Sequence, residues 1–202
     1  MTFEQIRMFI IFYGPEGSGK TTQAKMLAQK LDLPYLGSGD LVRKYAAEDR
    51  GIMGDVCRES LQLGHYVADS EMFVLWKHRL KQPDVQDGWV LDGFPRNHSQ
   101  AEFLDNKLDK YGKKLDFVFY IKVSPEESVT RLLKRGRRSP DGSLHDSEEK
   151  VNERLRLYSK GEEGVLKIYK EKGILLEVDG ERTIEEIHQE ILRWIKESGS
   201  VL

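Results

Sequence analysis

The chain has 202 residues, 39% hydrophobic and 33% charged, with a formal net charge of -2. That balance suits one main globular core, without the basic excess that nucleic acid asks for or the basic amphipathic stretch that a membrane surface asks for. Cys57 is the single cysteine, which excludes an internal disulfide framework and a multi-cysteine zinc site, so no zinc is expected.

Met8 to Tyr13 is a short apolar run ended by Gly14, and it reads as a buried strand. It is too short for a signal segment or a membrane span, so a cytosolic, cytoplasmic protein is expected. Residues 20–31 carry helical spacing at Ala24, Leu27, Ala28 and Leu31, and Pro34 follows. Tyr35 and Leu36 make a short second strand. Residues 40–82 read as short helices broken at Gly51, Gly54 and Gly64, with Phe73, Trp76 and Leu80 at core spacing. Trp89 to Leu91 is a further buried strand closed by Asp92 and Gly93. A helix is predicted over 98–111, a strand over 117–123 and a helix over 125–135, with Pro125 as its first residue. Residues 136–147 form a polar loop. Asp146 with Glu149 is the expected cap of a long helix over 147–172. A last strand spans 174–178. Thr183 with Glu186 caps a final helix whose core face is Ile184, Ile187, Ile191, Trp194 and Ile195. Short apolar strands alternating with helices predict an α/β fold, a parallel five-stranded sheet with helices on both faces. The stretches 40–82 and 136–147 are expected as insertions at the sheet's carboxyl edge, where such folds bind ligands. With no coiled-coil or apolar surface stripe, a monomer is expected.

Gly14 to Thr21 fits the pattern of two glycines with four residues between them, followed by Lys and a hydroxyl residue. The chemistry needs that spacing. Glycines let backbone N–H groups converge on phosphates, Lys20 neutralises β/γ oxygens, and Thr21 or Thr22 reaches Mg²⁺. The helix that follows aims its positive end at the same anion. A strand before and a helix after argue against a chance match. Asp92 closes a strand and is expected to hold Mg²⁺ through water, against the simpler reading of a turn residue.

Asp92-Gly93-Phe94-Pro95-Arg96 followed by Gln100-Ala101, together with Ser38-Gly39-Asp40-Leu41-Val42-Arg43, resembles the signatures of adenylate kinases, a nucleoside monophosphate kinase family. The likeness continues through Gly17 to Gln23, Arg131 to Gly136, Arg154-Leu155 and Val178-Asp179-Gly180, from about Met8 to Trp194. Thr21 stands where that family usually has Gly. The resemblance implies a single P-loop, three-layer domain over 1–202, with a monophosphate-binding insertion at about 37–67 and a short lid at about 136–147. It implies ATP and AMP as ligands, Mg²⁺ accompanying ATP, and Phe94–Pro95 as a cis bond. ATP contacts would come from Gly17, Ser18, Gly19, Lys20, Thr21 and Thr22, with Arg131 stacking on the adenine and Arg182 closing near it. Ser38, Arg43, Gly93, Phe94, Pro95 and Arg96 would hold AMP, with its base against His65, Tyr66 and Val67 and read by Gln100. Lys20, Arg96, Arg135 and Arg154 would be catalytic, Arg135 contacting ATP and Arg154 AMP as well. Without the resemblance, Arg131, Arg135 and Arg154 would be read as solvated helix charges. Short-lid relatives usually carry an arginine where this chain has Ser143, and Arg137 or Arg138 is expected to replace it.

Three readings follow. One is an adenylate kinase; a second is a pyrimidine (UMP/CMP) nucleoside monophosphate kinase, favoured by Asn97 and opposed by Gln100. The third is a nucleotide-binding switch without turnover, opposed by intact Lys20, Asp92, Arg43 and Arg96. Acceptor preference separates them.

Overall fold

The computed structural model describes residues 7–138, 142 and 144–199. Its parallel strands are β1 (Phe9–Tyr13), β2 (Tyr35–Gly37), β3 (Trp89–Asp92), β4 (Phe117–Lys122) and β5 (Leu175–Asp179). They form one sheet in the order β2-β3-β1-β4-β5. The helices are α1 (Lys20–Leu31), α2 (Ser38–Glu48), α3 (Ile52–Leu63), α4 (Asp69–Arg79), α5 (His98–Lys110), α6 (Pro125–Arg135), α7 (Glu148–Glu171) and α8 (Ile184–Glu197).

Successive side chains of a strand leave on opposite faces, so central β1 seeds two cores. Ile10 and Phe12 bury against Leu27 of α1 and Ile191 of α8. Phe9, Ile11 and Tyr13 join Trp76 of α4, Leu104 of α5 and Tyr169 of α7 on the other face. Both faces are covered, as the apolar strands predicted. Register places Asp92 beside Phe12 and beside Gly37, so the acid emerges at the carboxyl end of the sheet next to the loop after β1.

The expected strands and helices are present, with small shifts of their ends. The capping box of Thr183 and Glu186 is formed. Pro125 stands in the first turn of α6, behind the Ser124 cap. Phe94–Pro95 is cis. Three expectations are corrected. Gly54 does not break a helix but lies inside α3, where a Cβ would sit 2.0 Å from the Asp49 carbonyl oxygen. Ile184, the first residue of α8, is 49% exposed; Ile187, Ile191 and Ile195 carry that core face. Asp146 is not the cap of α7. Ser147 takes that position without a side-chain cap bond, and Asp146 is drawn inward by two arginines.

Helix α7 starts beside the phosphate loop, packs Val165 and Tyr169 against one face of the sheet, and holds two glycines in its interior, which a helix ordinarily resists by about 1 kcal/mol each relative to alanine. Gly161 has a structural reason. A Cβ there would lie 2.2 Å from the Arg96 carbonyl oxygen, whereas at Gly164 it would meet the His98 Cβ at 3.4 Å. The backbones of α7 and the Arg96 segment therefore touch directly. Gly161→Ala is expected to lower stability by about 1–3 kcal/mol, against the helix-propensity trend, because overpacking outweighs it. Gly164→Ala is expected to be neutral or stabilising. Thermal unfolding of the two variants checks this; equal gains in both would refute the close contact.

Candidate functional site

The loop between β1 and α1 is shaped by its glycines. Gly17 has φ +86°, and a Cβ on it would come within 2.8 Å of the Ser128 carbonyl oxygen on α6. Ser18 is fully buried. The N-cap of α1 is Gly19, with no side-chain cap bond; the Lys20 N–H reaches the Ser18 hydroxyl at 3.4 Å, and the N–H groups of Thr21 and Thr22 remain open to an anion. Lys20 folds over this loop and donates from Nζ to the Pro15 carbonyl at 3.0 Å. Burial lowers its pKa, with Arg96 and Arg135 adding to the effect while Asp92 and Glu16 oppose it.

Asp92 closes β3 next to the loop that leads to Lys20. Its Oδ2 accepts from the Thr21 hydroxyl at 2.6 Å and from the Tyr35 hydroxyl at 3.0 Å. Its Oδ1 is buried without a hydrogen-bond partner among the described residues. A buried carboxylate oxygen left open beside a hydroxyl suits a hydrated divalent cation. Thr21, rather than Thr22, makes the contact with Asp92.

The arginines enter from three elements. Arg135, at the end of α6, makes a bidentate pair with Asp146 at 2.8 and 2.9 Å. Arg154, on α7, is 3% exposed. It donates to Glu16 at 3.0 Å, to the His145 carbonyl at 2.9 Å and to Asp146 at 2.9 Å. Arg96 donates to the Gly93 carbonyl, and its guanidinium lies 3.7 Å from the centroid of the Tyr66 ring. Two carboxylates compensate these cations. Burial alone would raise the Glu16 pKa, but Arg154, Arg96 and Lys20 together with the Tyr66 hydroxyl hold it below the ordinary range. Burial likewise opposes ionisation of Asp146, and hydrogen bonds from Arg135 and the Arg137 backbone, with the charges of Arg135 and Arg154, overcome it. Tyr66 donates to Glu16 at 3.0 Å, tying the α3–α4 turn to the phosphate loop.

The remaining expected residues fall nearby. Ser38 is buried at the start of α2, its Cβ 3.4 Å from where a Cβ on Gly93 would lie. Arg43 is exposed and paired with Asp40 at 2.7 Å. Val67 is buried and His65 is exposed. Phe94 turns its ring into the core against Trp76, Pro95 is buried and Gly93 accepts from Arg96 at its carbonyl. Gln100 is buried in the first turn of α5, accepting from the Arg96 N–H at 2.8 Å. Arg131 bridges the carbonyls of Gly17 and Gly180, joining the phosphate loop to the turn after β5. Arg182 stands in that same turn, bonded to Glu190. Trp76 and Phe73 are core residues, as their spacing predicted, and Lys44, Arg50 and Lys77 are exposed. No group of three or more His, Cys, Asp or Glu among the described residues is placed to hold a metal. Ser143 lies outside the described residues. Burial lowers the Arg137 pKa, with Arg135 and Arg43 adding to the effect while Asp146 and Glu16 oppose it, and its backbone N–H donates to Asp146, whereas Arg138 donates to the Gly142 carbonyl within its own loop. The solvated reading of Arg154 is wrong: helix α7 turns that position onto Glu16 and Asp146.

Sequence reasoning missed Glu16, Asp69 and Gly161. Glu16 had a signal, because a negative charge inside a phosphate loop requires cations close by.

Residues 12–174 match the family model for adenylate kinase. An adenylate kinase of Archaeoglobus fulgidus is 35% identical over 91% of this chain and 96% of its own length. One of Stenotrophomonas maltophilia is 36% identical over 94% and 100%, and one of Pseudarthrobacter chlorophenolicus is 37% identical over 94% and 96%.

Asp146 gives a pH test with a definite sign. Its folded-state pKa is lowered, so its contribution to stability is complete above the unfolded value of about 3.9 and is lost as pH falls through the lower folded value. Asp146→Asn is expected to cost about 3 kcal/mol at pH 7, because Arg154 keeps its burial and loses a charged partner. The cost should shrink as pH drops below about 4. Urea unfolding at pH 7 and pH 3 measures both; a cost that does not vary with pH would show that the charge is not what matters.

Proposed function

The chain belongs to the adenylate kinase family, and on that premise we propose that it transfers the γ-phosphoryl group of ATP reversibly to AMP, giving two ADP. The observation that carries this reading is the convergence of Lys20, Arg96 and Arg154 on the carboxylate of Glu16, with Arg135 alongside through Asp146. Phosphoryl transfer needs placement and charge neutralisation more than covalent help from the protein. Cations gathered in a water-poor place supply both.

The phosphate loop and Lys20 hold the donor's phosphates. Arg96, with Ser38 and Arg43, holds the acceptor's phosphate. Arg154 uses three of its five N–H donors within the chain, and Arg135 uses two, so both keep donors for phosphate oxygens. Arg131 and Arg182 flank the donor's base at the turn after β5. Asp92 and Thr21 would hold Mg²⁺ through water, and the bound ion would supply positive charge to the donor's β/γ oxygens. Helices α2 and α3 form the acceptor-binding insertion, and residues 136–147 form the lid that excludes water on closure. We place the protein in the cytosol as a monomer; among the described residues, no helix is long and apolar enough to cross a membrane.

The feature that favoured a pyrimidine acceptor is weakened. Asn97 spends its Oδ1 on the Gln100 N–H as the cap of α5 and its Nδ2 on Asp69. A coupled assay with AMP, CMP, UMP and GMP as acceptors tests the choice; a preference for CMP or UMP would replace AMP.

Lys20→Ala is expected to lower kcat at least about a hundredfold, a loss of about 2.7 kcal/mol of transition-state stabilisation, with the fold retained. Near-normal turnover in that variant would refute the role. At the lid, Arg137→Ala should lower kcat about tenfold, roughly 1.4 kcal/mol, and Arg138→Ala much less. Steady-state kinetics of both, and of the double variant, decide whether Arg137 replaces the arginine absent at Ser143.

A further inference from the structure

Gln100 has a second partner that fixes its orientation. Asp69, the first residue of α4, accepts at Oδ1 from the Gln100 Nε2 at 2.6 Å and at Oδ2 from the Asn97 Nδ2 at 2.9 Å. Gln100 Oε1 in turn accepts from the Arg96 backbone N–H at 2.8 Å. An ionised carboxylate has no proton to give, and a backbone N–H has no lone pair to offer. Turning the amide over would set oxygen against carboxylate and NH₂ against N–H, losing both bonds at a buried side chain. Only one orientation therefore exists. It leaves Gln100 with one free N–H on Nε2 and one free lone pair on Oε1.

We propose that Asp69 is a positioning residue that locks this orientation and so selects an acceptor base with a 6-amino over a 6-oxo purine edge. The proposal rests on the reading of Gln100 as the group that meets the acceptor base. A 6-aminopurine presents an unprotonated ring nitrogen, which accepts, beside an exocyclic N–H, which donates. The locked amide matches it in that order. A 6-oxopurine presents a ring N–H beside a carbonyl oxygen, the reverse pattern, which only the turned amide could meet. Rejection of such a base follows the general rule that a site built to hydrogen-bond one pattern discriminates strongly against its inverse, since the mismatch leaves buried groups unpaired. Asn97 contributes at one remove. Its Nδ2 holds the other carboxylate oxygen, and its Oδ1 fixes the start of the helix that carries Gln100.

AMP and IMP are the probes, because they have nearly the same shape and differ at this edge. In Asp69→Asn the new amide can itself turn and can donate as well as accept, so the lock is lost with little change in volume; Asp69→Ala removes it outright. Both are expected to lower the AMP-to-IMP ratio of kcat/KM at least tenfold, through a higher KM for AMP. The kcat at saturating AMP and the KM for ATP should change far less, and thermal unfolding verifies that each variant is folded. A purely structural role would weaken AMP and IMP together, and an unaltered ratio in folded variants would overturn the lock. Gln100→Ala separates the two claims. If it raises the KM for AMP while the Asp69 variants keep the ratio, the lock alone falls. If it leaves the KM for AMP unaltered, the base-reading role of Gln100 falls and the lock with it.

Discussion

Positive charges crowded into a half-dry space repel one another, and the carboxyl end of this sheet depends on how that repulsion is contained. Arg154 is nearly inaccessible, Arg135 shares its partner, and Lys20 and Arg96 stand close enough to shift the same groups. Asp146 and Glu16 make the arrangement possible. Each is an acid whose burial would favour the neutral form and whose arginine neighbours keep it ionised. Without them the arginines would have to move apart or seek water, and the phosphate loop, α6 and α7 would lose the charge pairs that hold them together.

The two acids differ in reach. Asp146 is tied to both arginines and to the Arg137 backbone, so it draws together residues near in sequence between α6 and α7. Glu16 ties distant pieces, taking a bond from Tyr66 after α3 and another from Arg154 on α7. One side chain in the phosphate loop thus joins the turn after α3 to helix α7. A phosphate arriving near Lys20 would compete with Glu16 for the same cations, which couples arrival of the ligand to the position of Tyr66 and of the turn that carries it.

Much of this was legible from the residues. Strand Phe9–Tyr13 is apolar throughout, and Trp89–Asp92 is apolar up to its closing Asp92, because helices cover both faces, and that pattern needs no tertiary information. The loop at Gly14 to Thr21 and the acid at Asp92 are equally local. Side-chain partners were not local. Asp146 precedes a helix and has a glutamate three residues on, which is a capping pattern; nothing nearby announces that Arg154, two turns further, will claim it. Asp69 looks like any acid in the first turn of a helix, and its meeting with Gln100 depends on how α4 lies against α5. Ile184 fits the period of its helix and still faces solvent, since periodicity tells which side points inward and not how far the neighbouring layer extends.

Gly161 carries a consequence for how the two halves of the site are spaced. It sits seven residues after Arg154 on one continuous helix, about 10 Å along the axis and on nearly the same side. One end of that interval fixes a guanidinium aimed at the phosphate loop, and the other rests directly on the backbone of Arg96. The helix is therefore a gauge block, setting the gap between the Arg154 guanidinium and the backbone of Arg96 by the rise of a rigid rod rather than by flexible loops. Any swing of α7 would carry both ends together, so the separation would survive motions that change everything around it.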